Sequence, residues 1–301
     1  MIFMTGGTGL AGTFALKELV SRGTAVKALT RKAADHSEFP APVEKVWGDL
    51  ASPAELRQLA QNNRGIVHYA CASIGKRAPI QVDIDAMAAL VAKWEHGPFT
   101  FISSLDVYGW PKTTEVDETC PLSGEISEYS QGKIECEKVL TDAARVRGRN
   151  DFSILRASWI FSPHARSWTH LLNRFLKARE TQIFLPGETE AEWPKFADAF
   201  IDARDLAWLA AESLKKPVGG AANALTEKFS WHDLFTHLIK LTGSSSQIVH
   251  RKREELSQAD QELFGQQYSF SNAKVKAHFG FAPRYHWPET VESAFRLVNF
   301  S

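Results

Sequence analysis

Through the first half of the chain, short apolar runs alternate with longer stretches of helical periodicity. That is the pattern of parallel strands joined by crossover helices. The apolar runs predict strands at Ile2–Met4, Ala25–Thr30, Val43–Trp47, Gly65–Ala70, Phe99–Ser103 and Phe152–Ala157. Between the first two, Leu10, Phe14, Leu16, Leu19 and Val20 fall largely on one side of a helix that Gly23 closes. Ser52 and Pro53 open another, as N-cap and first-turn residue. Longer helices are predicted from Asp83 to Trp94 and from Ser127 to Arg147.

Beyond about Pro163 the alternation fades. Helical patterns recur at Ser167–Ala178, Arg204–Leu214, Trp231–Thr242 and Asn272–Phe279. Between them lie the loops Pro186-Gly187-Glu188 and Pro217-Val218-Gly219-Gly220. The predicted fold class is α/β: a Rossmann-type doubly wound parallel sheet over residues 1–163. A smaller mixed α/β region over 164–301 lies across the strand ends, partly interleaved with the sheet.

Composition narrows the choice of partners. The chain has 301 residues, of which 44% are hydrophobic and 19 are Phe, enough for a sizeable core. Lys plus Arg and Asp plus Glu both number 35, so no global field draws nucleic acid or a membrane surface. The cysteines Cys71, Cys120 and Cys136 show no C-x-x-C spacing and read as free thiols in a reducing compartment. Met1-Ile2-Phe3-Met4 runs into a glycine turn without a signal peptide, and no apolar run approaches the ~18 residues of a membrane span. A cytoplasmic protein is expected.

Thr5-Gly6-Gly7-Thr8-Gly9-Leu10-Ala11-Gly12 follows the first strand and opens the first helix. In that context Gly6, Gly9 and Gly12 permit a sharp turn, close approach of a pyrophosphate and tight helix–strand packing. The helix N terminus adds unpaired amides and a partial positive charge. An acidic residue about 20 positions further on would hold the adenosine ribose hydroxyls. Here the second strand ends Thr30-Arg31-Lys32, with no carboxylate until Asp35. Arg31 and Lys32 can pair with a 2′-phosphate, which favours NADP(H) over NAD(H). Asp49 either accepts a hydrogen bond from the adenine amine or caps the next helix.

Tyr129 and Lys133 stand at i and i+4, on one face of a helix. A free phenol titrates near 10, and a neighbouring ammonium with a cationic nicotinamide is expected to lower it by about two units. Tyr129 would then exchange a proton with a substrate oxygen while hydride moves. Lys133 is also positioned to bond the nicotinamide ribose.

The strand ending Phe101-Ile102-Ser103-Ser104, followed by Leu105-Asp106-Val107-Tyr108-Gly109, makes a resemblance plain. With Gly48-Asp49-Leu50, His68-Tyr69-Ala70, Leu155-Arg156-Ala157 and Phe200-Ile201-Asp202, it covers nearly the whole chain. The chain resembles an extended short-chain dehydrogenase/reductase of the NAD-dependent epimerase/dehydratase family. The resemblance implies that Ser104 completes a catalytic set with Tyr129 and Lys133, with Ser103 as competitor. It implies that Leu10, Leu50, Tyr69, Ala70, Ser103 and Ala157 border the cofactor, and that two copies pair through long helices, where Cys136 is buried.

Departures from the family pattern are equally telling. Sugar dehydratases of this family carry Thr-Asp-Glu where this chain has Ser104-Leu105-Asp106, and Leu105 cannot donate a proton. Asp106 keeps a carboxylate, either as an auxiliary acid or base or simply exposed. Asp198 stands where many nucleotide-sugar epimerases have a diphosphate-gripping Arg; Lys195 is a substitute cation. Trp159 and Trp168 either line the pocket or pack in the core. His164 and His170 lack metal-ligand spacing, and no metal is expected.

These readings lead to an NADP(H)-dependent oxidoreductase or epimerase acting on a small-molecule carbonyl, secondary alcohol or sugar. One alternative is a nucleotide-sugar epimerase with bound NAD. The other is a non-catalytic NADP(H)-binding regulatory protein, against which the complete Ser104/Tyr129/Lys133 set argues.

Overall fold

The six predicted strands all form in the computed structural model, which describes residues 1–163 and 182–296. The chain opens with β1 (Ile2–Thr5), α1 (Gly12–Ser21), β2 (Val26–Thr30) and β3 (Glu44–Trp47). Next come α2 (Pro53–Ala60), β4 (Ile66–His68), α3 (Ile80–Ala92) and β5 (Phe99–Ser104). A 3-10 turn at Leu105–Tyr108 leads to β6 (Glu115–Val116), α4 (Glu128–Val146), β7 (Phe152–Ala157) and β8 (Trp159–Phe161). The second stretch begins β9 (Gln182–Pro186), β10 (Ala197–Asp202), α5 (Ala203–Lys215), β11 (Gly220–Ala224), β12 (Glu227–Ser230) and α6 (Trp231–Thr242). It ends with β13 (Gln247–Arg251), α7 (Gln258–Phe264), β14 (Ser269–Phe270), α8 (Ala273–Phe279) and α9 (Trp287–Arg296).

The main sheet is seven-stranded, in the order β11-β7-β5-β4-β1-β2-β3, with every neighbouring pair parallel. Its outermost strand comes from the second half of the sequence. Gly220-Ala221-Ala222-Asn223-Ala224 has no β-branched residue to announce a strand; its pairing with β7, Ala222 opposite Leu155, is what makes it one. Helices α2, α3 and α4 cover one face, and α1 with α5 covers the other. On the first face Trp94 sits edge-on to Phe99 and Phe152 at 5.6 and 6.2 Å.

Local chemistry sets several boundaries. Gly23, with φ of +72°, ends α1 as predicted, while Leu10 belongs to the turn before that helix and is exposed. The helix predicted at Asp83–Trp94 starts earlier, at Ile80, directly after Pro79. Ser127 and Ser130 form a reciprocal capping box that starts α4, which fixes where Tyr129 and Lys133 lie along the helix.

The remaining strands are short. β8, β10 and β12 make a three-stranded sheet, and β13–β9 and β14–β6 are two-stranded. The core beside β8, β9, β10 and β12 is aromatic: Phe161, Phe200, Phe229, Trp231, Phe235 and Phe264 pack together. Pro186 and Gly220, read from sequence as loop residues, instead end β9 and begin β11. The helix expected at 167–178, with Trp168, His164 and His170 in or near it, lies outside the described residues. No described helix is long and apolar enough to cross a membrane.

Because α1 and the α2/α3 crossovers leave β1 and β4 on opposite faces, the sheet has its topological switch point between these strands. In open sheets of this kind the ligand crevice lies outside the carboxyl ends of the strands at that point.

Candidate active site

Gly6 occupies that crevice. Its φ is +80°, and a Cβ there would come within 2.6 Å of the Ala70 amide nitrogen. A Cβ on Gly12 would meet the Gly6 carbonyl oxygen at 2.0 Å, so α1 cannot seat without glycine there. At Gly9 the one close neighbour would be that same oxygen, at 3.2 Å, which leaves the space in front of Gly9 open. Thr13 Oγ1 donates to the carbonyls of Gly7 and Gly9 at 3.1 and 2.9 Å, bracing the turn. Two glycines closed by packing and one facing open space beside a helix N terminus fit a dinucleotide pyrophosphate.

The strand ends beside the turn differ in what they offer. Thr30 is buried and its Oγ1 hydrogen-bonds His36 Nε2 at 2.8 Å, while Arg31 and Lys32 are exposed just beyond it. Asp49 Oδ1 accepts from the Ala51 amide at 3.0 Å, and Leu50 is packed into the main core. The Ala70 amide donates to Thr5 Oγ1 at 3.3 Å beside Gly6, but the Tyr69 hydroxyl donates to the Leu206 carbonyl on α5. Tyr69 therefore contributes backbone to the crevice and its ring to the core. Ala157 is buried at the end of β7, opposite Ser104 in register.

At the end of β5 the two serines part. Ser103 is buried and donates to Glu137 Oε1 at 2.5 Å, within a network where Arg156 pairs with Glu137 and donates to the Tyr108 hydroxyl. Ser104 is half-buried on the other side. Its hydroxyl meets the Tyr129 phenol, and its Oγ accepts the Asp106 amide at 3.2 Å. The structure thus brings Ser104, Tyr129, Lys133 and Asp106 together and takes the Ser103 side chain away from them.

Lys133 is buried, with its Nζ donating to the Ile102 carbonyl at 2.9 Å and standing 5.6 Å from the centre of the Tyr129 ring. Asp83 faces it across the loop after β4, where its carboxylate accepts the Ala72 and Ser73 amides at 2.6 and 2.9 Å. Burial works against the Lys133 charge, but Tyr129, the nearby thiols and Asp83 outweigh it, and the ammonium is held above its ordinary value.

The phenol departs from the sequence-based expectation. Lys133 does lower Tyr129, but burial raises it more, and the Asp106 charge adds to that, so the net shift is upward. Tyr129 is therefore a neutral phenol near pH 7. Asp106 is half-buried rather than exposed, and burial raises its carboxyl despite the Ser104 hydrogen bond.

Across from Asp106, β10 presents Asp198, which hydrogen-bonds the Trp159 side chain and accepts the Ala199 amide at 2.7 Å. Trp159 itself packs edge-on to Trp231 at 5.5 Å. Sequence reading singled out Asp198 only as a departure, and no sequence signal pointed to Tyr268, whose phenol is raised by burial and by both carboxyls. Lys195 is exposed on the turn before β10. Cys136 is buried, and its thiol is pushed up to about 12, which leaves it unreactive.

Comparison with known proteins agrees with this architecture. D-erythronate dehydrogenase from Cupriavidus necator is 32% identical over 175 residues, covering 52% of this chain and 53% of that protein. UDP-glucose 4-epimerase from Haemophilus influenzae is 26% identical over 177 residues, covering 52% of each. The chain thus spans about half the length of these curated relatives. Among solved structures, UDP-glucose 4-epimerase from Thermotoga maritima, with UDP-glucose, superposes with a TM-score of 0.78 at 19% identity, covering 98% of both chains. The Thermus thermophilus UDP-glucose 4-epimerase complex with NAD gives 0.76 at 18%, covering 99% of both. These likenesses show the fold. The model of the NAD dependent epimerase/dehydratase family matches residues 2–224, and the chain belongs to that family of nicotinamide-dependent enzymes.

Proposed function

We propose that this protein is an NADP(H)-dependent oxidoreductase or epimerase that moves hydride between nicotinamide and a secondary alcohol or carbonyl. The observation that carries this reading is the meeting of the Tyr129 phenol with the Ser104 hydroxyl beside the Lys133 ammonium, in a chain that also carries the glycine turn. Gly6, Gly9, Gly12 and the Ala70 backbone would hold the cofactor's pyrophosphate side. Arg31 and Lys32 would pair with its 2′-phosphate. The nicotinamide, when bound, supplies or accepts the hydride.

In the reductive direction the neutral Tyr129 phenol gives its proton to the substrate carbonyl oxygen. Ser104 donates to the same oxygen and holds it against the phenol. Lys133 stabilises the phenolate left behind, as a buried ammonium at short range in a partly dry site. In the oxidative direction the same groups run in reverse.

Tyr129→Phe should abolish turnover of an identified substrate while leaving NADPH affinity within about twofold, a change worth less than ~0.5 kcal/mol. Activity that survives the substitution would overturn the assignment.

A nucleotide-sugar epimerase with bound NAD is the second reading, favoured by the UDP-glucose 4-epimerases among the relatives. It requires nicotinamide retained through purification and binding of a UDP-sugar. Calorimetry and the absorbance of the purified protein decide between the two.

A further inference from the structure

We infer that His232 and His250, lying side by side on the Trp193 indole and joined by one hydrogen bond, form an acid-sensitive clasp on the loop between β9 and β10, which opens when both rings carry an added proton. The inference does not depend on the function proposed above.

Three elements meet at the clasp. Trp193 belongs to the 3-10 turn Trp193–Lys195 before β10, His232 to the first turn of α6 and His250 to β13. The two imidazole centres stand 4.0 and 4.1 Å from the indole centre and 5.0 Å from each other. Rings on opposite faces of the indole would lie about twice the stacking distance apart, so both rest on the same face. His232 Nδ1 and His250 Nε2 are 2.9 Å apart. The loop is tied to this group at its two ends. The Trp193 indole N–H donates to the Gly187 carbonyl at 3.2 Å, and the Gly187 amide donates to the Arg251 carbonyl at 3.0 Å. Between them the Glu192 carboxylate accepts the Glu188 and Thr189 amides at 2.8 and 3.2 Å.

Hydrogen-bond chemistry fixes where the protons sit. His250 Nδ1 faces the Pro186 carbonyl at 3.3 Å, and a carbonyl only accepts, so Nδ1 carries the proton. In the neutral ring Nε2 is then an acceptor, and His232 Nδ1 is the donor across the 2.9 Å bond. That leaves His232 Nε2 to accept from the Thr236 hydroxyl at 3.4 Å. Every ring nitrogen of the neutral pair thus has a partner. A first added proton goes to His232 Nε2 and leaves the bond between the rings intact, since the Thr236 hydroxyl can turn to accept. A second has only His250 Nε2, where it sets N–H against N–H and charge against charge. The rings must then part, and the loop loses its hold on β13 and α6.

The surroundings set the direction. Burial opposes the charge on His232, while Asp233 on the same helix and Glu190 on the loop favour it. Burial and His232 oppose the charge on His250, against the Pro186 and Gly187 backbone. Of the neighbouring cations, Arg251 stacks on Phe184 at 4.2 Å and Lys195 is exposed. Both imidazoles are held below their ordinary value of 6.5, so the clasp is closed at neutral pH and is lost as pH falls below that value.

The test is amide hydrogen exchange of the full chain at pH 7.5 and 5.0, followed by mass spectrometry and corrected for the intrinsic pH dependence of exchange. Protection over residues 187–196 should fall at least about tenfold at pH 5.0, while that of α1 stays within about twofold. His250→Gln puts a carbonyl oxygen that cannot take up a proton in place of the accepting nitrogen, and the loop should stay protected at pH 5.0. His232→Asn offers an amide that turns to accept from a protonated His250; it should do the same, and it serves if the first variant does not fold. His250→Phe keeps a ring on the indole without the bond, and its loop should exchange at pH 7.5 as the parent's does at pH 5.0. Equal protection of the parent loop at the two pH values overturns the inference. So does a tenfold loss that persists in His250→Gln or His232→Asn, or full protection of His250→Phe at pH 7.5.

Discussion

The Lys133 ammonium donates to the Ile102 carbonyl at 2.9 Å, so one buried charge joins the middle of α4 to the end of β5, two residues before Ser104. The contact sets the distance between the helix that carries Tyr129 and the strand that carries Ser104. Lys133→Met keeps most of the side-chain volume and removes both the charge and this bond. It should lower kcat/KM by about 10²–10⁴-fold, the range typical of a positioned proton-transfer system. Lys133→Arg should not rescue it, because a planar guanidinium does not fit a site shaped for a compact ammonium. Steady-state kinetics on both variants checks this.

Burial sets the pH profile. The neutral Tyr129 phenol is the active form for reduction and the phenolate for oxidation. Its pKa lies above the ordinary value of 10 in the free enzyme. The kcat/KM for carbonyl reduction should therefore stay level from neutral pH to about 10 and fall only as pH rises through that raised pKa. Oxidation should climb over the same range. A reductive limb falling near pH 7–8 would contradict the burial argument.

Arg31 and Lys32 stand exposed just beyond the end of β2. Replacing both with Ser should weaken NADPH by at least tenfold, about 1.4 kcal/mol, and leave NADH nearly unchanged. Fluorescence titration of both cofactors measures it, and an equal loss for the two would remove the basis for NADP(H) preference.

Asp198 makes stability depend on pH. Its folded-state pKa, about 7, lies above the ordinary carboxyl value of 3.8, so the native state holds the proton more tightly than the unfolded chain. The group therefore withdraws stability as pH rises from about 4 towards 7. Asp198→Asn removes that penalty. Its Tm should exceed that of the parent by a few degrees at pH 8 and match it at pH 4, which thermal melts at the two pH values can read.

The Glu137–Arg156 pair is buried on both sides and holds Ser103 out of the cleft. Glu137→Gln should destabilise the protein by about 3–5 kcal/mol, because it strands a buried guanidinium. Replacing both partners with apolar residues of similar size should cost much less. Denaturant melts of the single and double variants separate these outcomes.

Much of the sheet was legible from local pattern because each strand of the first half is a short apolar run between helical repeats. Phe152–Ala157 forms as predicted, and the other five strands differ only at their ends. β11 was not legible: Gly220–Ala224 is small and featureless, and only its place beside β7 makes it a strand. The short strands of the second half, two to six residues long, have no periodicity to read.

Sequence by itself determined what chain-local geometry controls. The glycine turn needs residues without a Cβ at Gly6 and Gly12, and the helical repeat puts Tyr129 and Lys133 on one face. Only the tertiary structure decided which serine faces the cleft, that the Tyr129 phenol is raised rather than lowered, and that burial with the Asp106 charge raises the Asp198 carboxyl. The physical reason is that desolvation and charge coupling depend on which distant segments close around a group. No window of neighbouring residues contains that information.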